Sequence, residues 1–224
     1  MPPARMPPSA PTPLAATHLE AGIRRRYSEG ARRVEPALCC PTNAYDPQML
    51  AKLPTEVVEK DYGCGDPSIH AREGDVVVDL GSGSGKVCYL LSQRVGATGR
   101  VIGLDVNDDM LALARKYQDE MAARLGWGNV EFRKARIQDM ALDLEQAETW
   151  LARQPAASLS ALAEFERYCE ALRLSKPLLA DGSVDLIVSN CVLNLVRPEE
   201  KQRLFLEMHR VLARGGRAVT CTRW

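Results

Sequence analysis

Residues 76–86 read VVVDLGSGSGK. Val76, Val77 and Val78 are β-branched and run together without polar alternation, which predicts a strand covered on both faces, as in a parallel sheet. Asp79 stands at the carboxyl end of that strand. Gly81, Ser82, Gly83, Ser84 and Gly85 follow, a loop of small residues that lets the backbone turn sharply and lie against a ligand. Val87, Leu90, Leu91 and Val95 then recur at helical spacing, and Gly96 closes the helix. Strand, glycine loop and helix N-terminus in this order predict a nucleotide site at the carboxyl edge of a parallel sheet. A second apolar strand, VIGLDV at 101–106, carries Asp105 near its end, 24 residues after Gly81. A carboxylate there is placed to accept hydrogen bonds from both hydroxyls of a ribose.

The dinucleotide fingerprint G-x-G-x-x-G is not met, because the third glycine comes one residue early. DLGSGSG with a downstream aspartate resembles the S-adenosylmethionine site of Rossmann-like methyltransferases more than an NAD site. An NAD enzyme and an ordinary α/β turn are the alternatives. The fold expected is therefore α/β, a doubly wound, mainly parallel sheet.

The 224 residues suffice for one substantial domain with appendages. Acidic and basic residues number 29 each, which argues against nucleic acid as the partner. No apolar run approaches the roughly 20 residues of a membrane span. The proline- and alanine-rich start, MPPARMPPSAPTPLAA, lacks a continuous apolar core and reads as a disordered leader. These features point to the cytoplasm, where seven cysteines call for an explanation other than disulfides.

Three regions are expected. Residues 1–34 form a disordered or helical leader, with a basic, solvated surface helix over Thr17–Val34, capped by Thr17 and interrupted by Gly30. Residues 35–72 form a helical cap carrying Cys39, Cys40 and Cys64, with helices starting at Asp46-Pro47 and spanning Pro54–Tyr62. Residues 73–224 form the cofactor-binding domain. Within it Asn107 or Asp108 caps a long helix that Gly126 ends, and Asn129–Ala135 is a third strand. The resemblance to S-adenosylmethionine methyltransferases implies that Ile137, with Gln138 or Asp139, flanks an adenine. Residues 140–180 are an insertion of two helices, with Cys169 on an apolar stripe. Residues 183–196 supply a fourth strand delivering Ser189, Asn190 and Cys191 to the glycine-loop edge. A helix from Pro198 has Leu204, Phe205, Met208, Val211 and Leu212 as its inner face and ends at Gly215-Gly216. A fifth strand starts at Arg217.

The cysteines have no zinc spacing. Cys191 at the fourth strand's end, Cys64 on a glycine turn and the Cys39-Cys40 pair can still converge on the cofactor pocket, a soft site suited to a thiophilic centre. For each cysteine taken singly, a purely structural role stays open.

DYGCGD, DLGSGSGKVCY, RVIGLDVNDDMLALAR and VSNCVLNLVRPEEK together resemble the arsenite methyltransferase family, from about Cys39 to Gly216. The resemblance implies methyl transfer from S-adenosylmethionine to trivalent arsenic, presented as arsenite or its thiol conjugates, in arsenic detoxification or organoarsenical synthesis. It implies that Cys64 and Cys191 hold arsenic. Cys40, or Cys39, would be a relay thiol, and Tyr62 would orient the sulfonium. The cofactor contacts it implies are Asp79, Gly81, Ser82, Gly83, Gly85, Asp105, Val106, Asn107, Ile137, Gln138 and Asn190. Thioredoxin or glutathione would serve as reductant, with neither nucleic acid nor membrane as partner. Family members continue past the fifth strand with a further functional cysteine. This chain ends at TCTRW, so the expected sheet is incomplete at that end, and Cys221 is not taken as the missing thiol. A methyltransferase of another small molecule, or an inactive cofactor- or thiol-binding module, are the competing readings.

Overall fold

The structure, a computed structural model, describes the backbone of residues 13–34 and 45–221 and the side chains from residue 21 onward within those ranges. Cys39 and Cys40 lie outside the described residues. Five strands are described: β1 (Val76–Leu80), β2 (Arg100–Asp105), β3 (Val130–Lys134), β4 (Val184–Asn190) and β5 (Leu212–Cys221). They form one parallel sheet in the order β3-β2-β1-β4-β5. Along the chain run the helices α1 (Pro13–Arg32), α2 (Pro47–Leu50), α3 (Thr55–Glu59), α4 (Lys86–Val95), α5 (Asp108–Lys116), α6 (Gln118–Leu125), α7 (Leu144–Arg153), α8 (Leu159–Ser175) and α9 (Pro198–Val211). The chain has the Rossmann-like, doubly wound architecture.

The apolar runs of the strands feed two cores, because successive side chains point to opposite faces. Val77, Val101, Leu186 and Val188 pack with Leu90 and Leu91 of α4, Leu111 and Ala114 of α5 and Met121 of α6. Val78, Leu80, Ile102, Leu104 and Ile187 pack with Leu204, Met208 and Val211 of α9 and with Ile137 and Met140. Tyr45, Leu53 and Val57 join the first core, so the segment before β1 is built into the domain.

Several boundaries differ from those read off the sequence. The first helix starts at Pro13, so Thr17 is inside it, and Gly30 continues it instead of interrupting it. Nor is that helix a solvated surface element: Gly30 and Ala31 are buried, and α1 packs on α5. The arginines at 24–26 mask an apolar stripe, Ile23, Tyr27 and Ala31, at four-residue spacing. The helix expected over Pro54–Tyr62 is confined to α3, and Leu53 is buried beyond the end of α2. The single helix expected after Asn107 is broken at Tyr117, whose hydroxyl bonds to Glu56. In α9, Phe205 is 55% exposed, and the helix ends at Val211. Leu212 opens β5, and the Gly215-Gly216 pair lies inside that strand, where the register jumps from Val184↔Leu212 to Leu186↔Arg217. Two helices, α7 and α8, do form the insertion, and Cys169 is buried between them with Leu142, Ala147 and Leu172, although Leu159 and Leu162 at the start of α8 are exposed.

Gly85 shows why the loop needs glycine. Its φ is +85°, in the left-handed region, and a Cβ there would lie 2.6 Å from Phe132 Cζ and 3.2 Å from Ala114 Cβ. Gly85→Ala is expected to destabilise the fold by about 2–4 kcal/mol, combining left-handed strain with overpacking. The check is a lower urea midpoint at unchanged m.

Candidate functional site

In an open parallel sheet, ligands bind where the strand order reverses, beyond the carboxyl ends. Here that point lies between β1 and β4, which pair directly. Two adjoining cavities open there. The outer one is lined by Gly81, Gly83, Asp105, Val106, Asn107, Ile137 and Gln138, roofed by Ile23, Arg24 and Tyr27 of α1. The inner one runs from Tyr27 and Met110 past Gly81, Ser82 and Gly83 to Tyr62, Asp79, Asn190 and Cys191. Gly81, Gly83, Tyr27, Met110 and Val192 border both, so one elongated ligand can occupy the two together.

Two backbone features shape the floor. Gly81 and Gly83 have φ of +75° and +52°. A Cβ on Gly81 would lie 2.5 Å from Val192 Cγ2, so the glycine loop and the turn after β4 touch. At Gly83 the space that a Cβ would fill is open, leaving the peptide accessible to a ligand. Asp105 Oδ2 accepts the Gly83 N–H at 2.9 Å, and Oδ1 accepts those of Val106 and Asn107 at 2.8 and 2.9 Å. A carboxylate has about four lone-pair sites, and three are taken here, so acceptor capacity is left for a ribose hydroxyl.

Asn107 is committed more heavily. Its Oδ1 caps α5 through the N–H groups of Asp109 and Met110, and its Nδ2 donates to Arg24 O at 3.0 Å and Ser28 Oγ at 3.1 Å. It joins the cavity wall to α1. Beside the adenine-type positions, Asp139 turns away from the cavity and pairs with Arg173 at 2.9 Å and Arg203 at 3.0 Å. Of the two polar candidates there, only Gln138 lines the cavity.

Asp79 lies at the base of the inner cavity, 2% exposed. Its Oδ2 accepts from Cys88 Sγ at 3.4 Å, while Oδ1 is buried without a hydrogen-bond partner. Ser82 Oγ is likewise buried and unpartnered. Buried polar atoms are normally satisfied, so these two mark places where a ligand would bond. Burial pushes the Asp79 carboxyl up to about 7, aided by the charges of Asp61 and Asp105 and opposed by the Cys88 bond. Burial also raises Asp105, against the pull of its three backbone donors.

Cys64 and Cys191, 127 residues apart in sequence, meet at this edge and form a disulfide with Cα atoms 6.1 Å apart. Cys191 has φ +59°, a left-handed conformation uncommon outside glycine. Its N–H donates to Cys221 O at 2.7 Å. Cys221, set aside in the sequence reading, thus ends β5 beside the pair, with its thiol raised first by burial and then by Asp66. Tyr62 is buried; its hydroxyl donates to Gly30 O at 3.0 Å, and its ring meets Tyr27 edge-on at 6.2 Å. Among the described residues no cluster of His, Cys, Asp and Glu could hold a metal ion.

The structure therefore brings together Cys191, Tyr62, Asp79, Ser82 and Asn190 at the inner cavity, with Cys64 joined to Cys191 beside it. Gly81 and Gly83 adjoin both cavities, and Asp105, Val106, Asn107, Ile137 and Gln138 surround the outer one. Gly85 instead packs against Phe132. Cys40 lies outside the described residues. Sequence reading missed Ile23, Tyr27, Met110 and Val192 as lining residues. The four-residue spacing of Ile23 and Tyr27 was the available signal.

Comparison with known proteins finds methyltransferases. A family model described as "Methyltransferase domain" matches residues 71–178, and a second of the same description matches 158–220. The arsenite methyltransferase of Aquipseudomonas alcaligenes is 36% identical over 186 residues, covering 82% of this chain and 43% of that protein. The human arsenite methyltransferase is 32% identical over 171 residues, covering 75% and 36%. Among solved structures, an arsenic(III) S-adenosylmethionine methyltransferase from Chlamydomonas reinhardtii matches at a TM-score of 0.56 and 34% identity, covering 78% of this chain and 48% of that one. The chain spans less than half the length of the curated relatives it matches.

The Asp79 carboxyl carries a stability consequence. Its folded pKa, about 7, lies above the ordinary 3.8. The unfolded chain therefore loses this proton at lower pH, and stability falls as pH rises between those values. Asp79→Asn removes the penalty. It is expected to raise the melting temperature more at pH 8 than at pH 5, as differential scanning calorimetry at the two pH values will read.

Proposed function

This chain has the fold of S-adenosylmethionine-dependent methyltransferases and is a relative of the arsenite methyltransferases, and on that premise we propose that it methylates trivalent arsenic held by Cys64 and Cys191. The observation that carries the proposal is the pairing of the Cys64 sulfur with that of Cys191, which lines the inner cavity.

The cavities suit the methyl donor. Ile137 offers an apolar surface and Gln138 a polar group for an adenine, and Asp105 offers acceptors for a ribose. The Gly81–Gly83 peptides lie against the middle of the ligand, and the free oxygens of Asp79 and Ser82 await donors at its amino-acid end. Bound S-adenosylmethionine supplies an electrophilic methyl group on a sulfonium. The nucleophile is the arsenic lone pair, so the chain needs no general base. Its task is to exclude water and to hold arsenic on the line of transfer. Orientation alone contributes up to about 7–11 kcal/mol in well-matched systems.

Arsenite reaches the site by exchanging hydroxyl groups for sulfur: two cysteine thiols form two S–As bonds and release two waters. A disulfide cannot do this. The Cys64–Cys191 bond must first accept two electrons and two protons from a thiol reductant such as thioredoxin or glutathione. Cys40 or Cys39 would relay that exchange.

The test uses reduced chain with As(III), S-adenosylmethionine and glutathione, and follows arsenic species by chromatography with mass detection. Cys64→Ser and Cys191→Ser are each expected to lower methylarsenical formation at least 100-fold while S-adenosylmethionine affinity stays within threefold. Methylation that survives in the double variant would overturn the arsenic site. Tight As(III) binding by the parent without turnover would overturn the transfer step.

A further inference from the structure

The turn that carries Cys64 is flanked by Gly63 and Gly65 and belongs to no helix or strand, yet its sulfur must meet that of Cys191, the residue that follows β4. We infer that Asn190 is the positioning residue that holds this turn in place, acting on the two sulfurs through Cys64 and not primarily on the methyl donor. This deepens the thiol-site reading proposed above and rests on it.

Asn190 is the last residue of β4 and is buried. Its Oδ1 accepts the Cys64 N–H at 2.8 Å, and its Nδ2 donates to Gly65 O at 2.8 Å. One carboxamide thus grips the main chain on both sides of Cys64. Tyr45 reinforces the grip: its hydroxyl bonds to Gly65 O and lies 3.4 Å from Asn190 Nδ2. Gly63 packs so closely that a Cβ there would collide with the Asn190 amide. Only a side chain offering an acceptor and a donor from one planar group satisfies both contacts. Aspartate keeps the acceptor but sets an oxygen against the Gly65 carbonyl.

The neighbouring residue completes the device. Cys191 follows Asn190 directly, and its left-handed φ of +59°, with its N–H fixed on Cys221 O, turns the chain out of the strand. Backbone strain of this kind persists where surrounding structure over-determines it. Asn190 holds one sulfur's loop while Cys191 presents the other sulfur. Their encounter is intramolecular, at an effective concentration that depends on the clamp.

The readout is the exchange of two protein thiols with oxidised glutathione, giving the Cys64–Cys191 disulfide and two reduced glutathiones. Its equilibrium constant is measured by alkylation and mass spectrometry in glutathione buffers. Asn190→Ala is expected to lower that constant at least tenfold, and Asn190→Asp by a smaller but measurable factor. Asn190→Asp is near-isosteric and decides the matter if the alanine variant does not fold. An unchanged equilibrium constant in Asn190→Asp, or a loss confined to S-adenosylmethionine affinity, would overturn the assignment. Because this measurement involves no arsenic, it separates a failure of the clamp from a failure of arsenic methylation.

Discussion

The direct pairing of β1 with β4 is the constraint from which the rest of the molecule follows. A parallel sheet covered on both faces leaves its chemistry to the loops beyond its strand ends. At the one place where the winding reverses, two such loops lie side by side. The glycine loop after β1 and the Cys191 turn after β4 touch through Gly81 and Val192. The glycine loop and Cys191 are thereby set next to each other by strand order alone, without any contact between the two segments in sequence.

The segment before β1 is fastened to this edge by charge as well as packing. Lys86 opens α4 and is 2% exposed, with Nζ 2.5 Å from Asp61 and 3.9 Å from the centre of the Tyr45 ring. A buried cation is tolerable only when paired, and losing one partner of such a pair typically costs about 3–5 kcal/mol. Asp61, Tyr62, Gly63 and Cys64 are consecutive, so the ion pair anchors the segment that carries Cys64. Asn190 then sets its fine position. Coarse placement by an ion pair and local placement by a carboxamide divide the task by range.

Two other elements frame the site from outside. The roof is α1, bonded through Ser28 and Arg24 to Asn107 and through Arg32 to Asp109, both near the start of α5. The insertion α7–α8 has its own small core and is tied down by Arg173, which meets Asp139 where α9 also sends Arg203. Asp139 therefore joins the insertion to the domain, which explains why Gln138 and not Asp139 lines the outer cavity. No helix among the described residues is long and apolar enough to cross a membrane.

Local chemistry determined much of this by itself. The valine run, the glycine loop, the carboxylates at the ends of β1 and β2 and the caps at Asp46 and Asn107 act within a few residues, so their meaning is readable in order along the chain. Element ends were harder, because Tyr117 breaks a helical pattern through Glu56, sixty-one residues away, and Leu212 leaves α9 to pair with β4. Only the tertiary structure decided that α1 is a roof and not a solvated helix, since its apolar stripe has meaning only opposite α5. Only it could show that Asn190 reaches Cys64 across 126 residues. Hydrogen-bond partners of that separation are chosen by strand order, and strand order is a property of the whole sheet, not of any stretch within it.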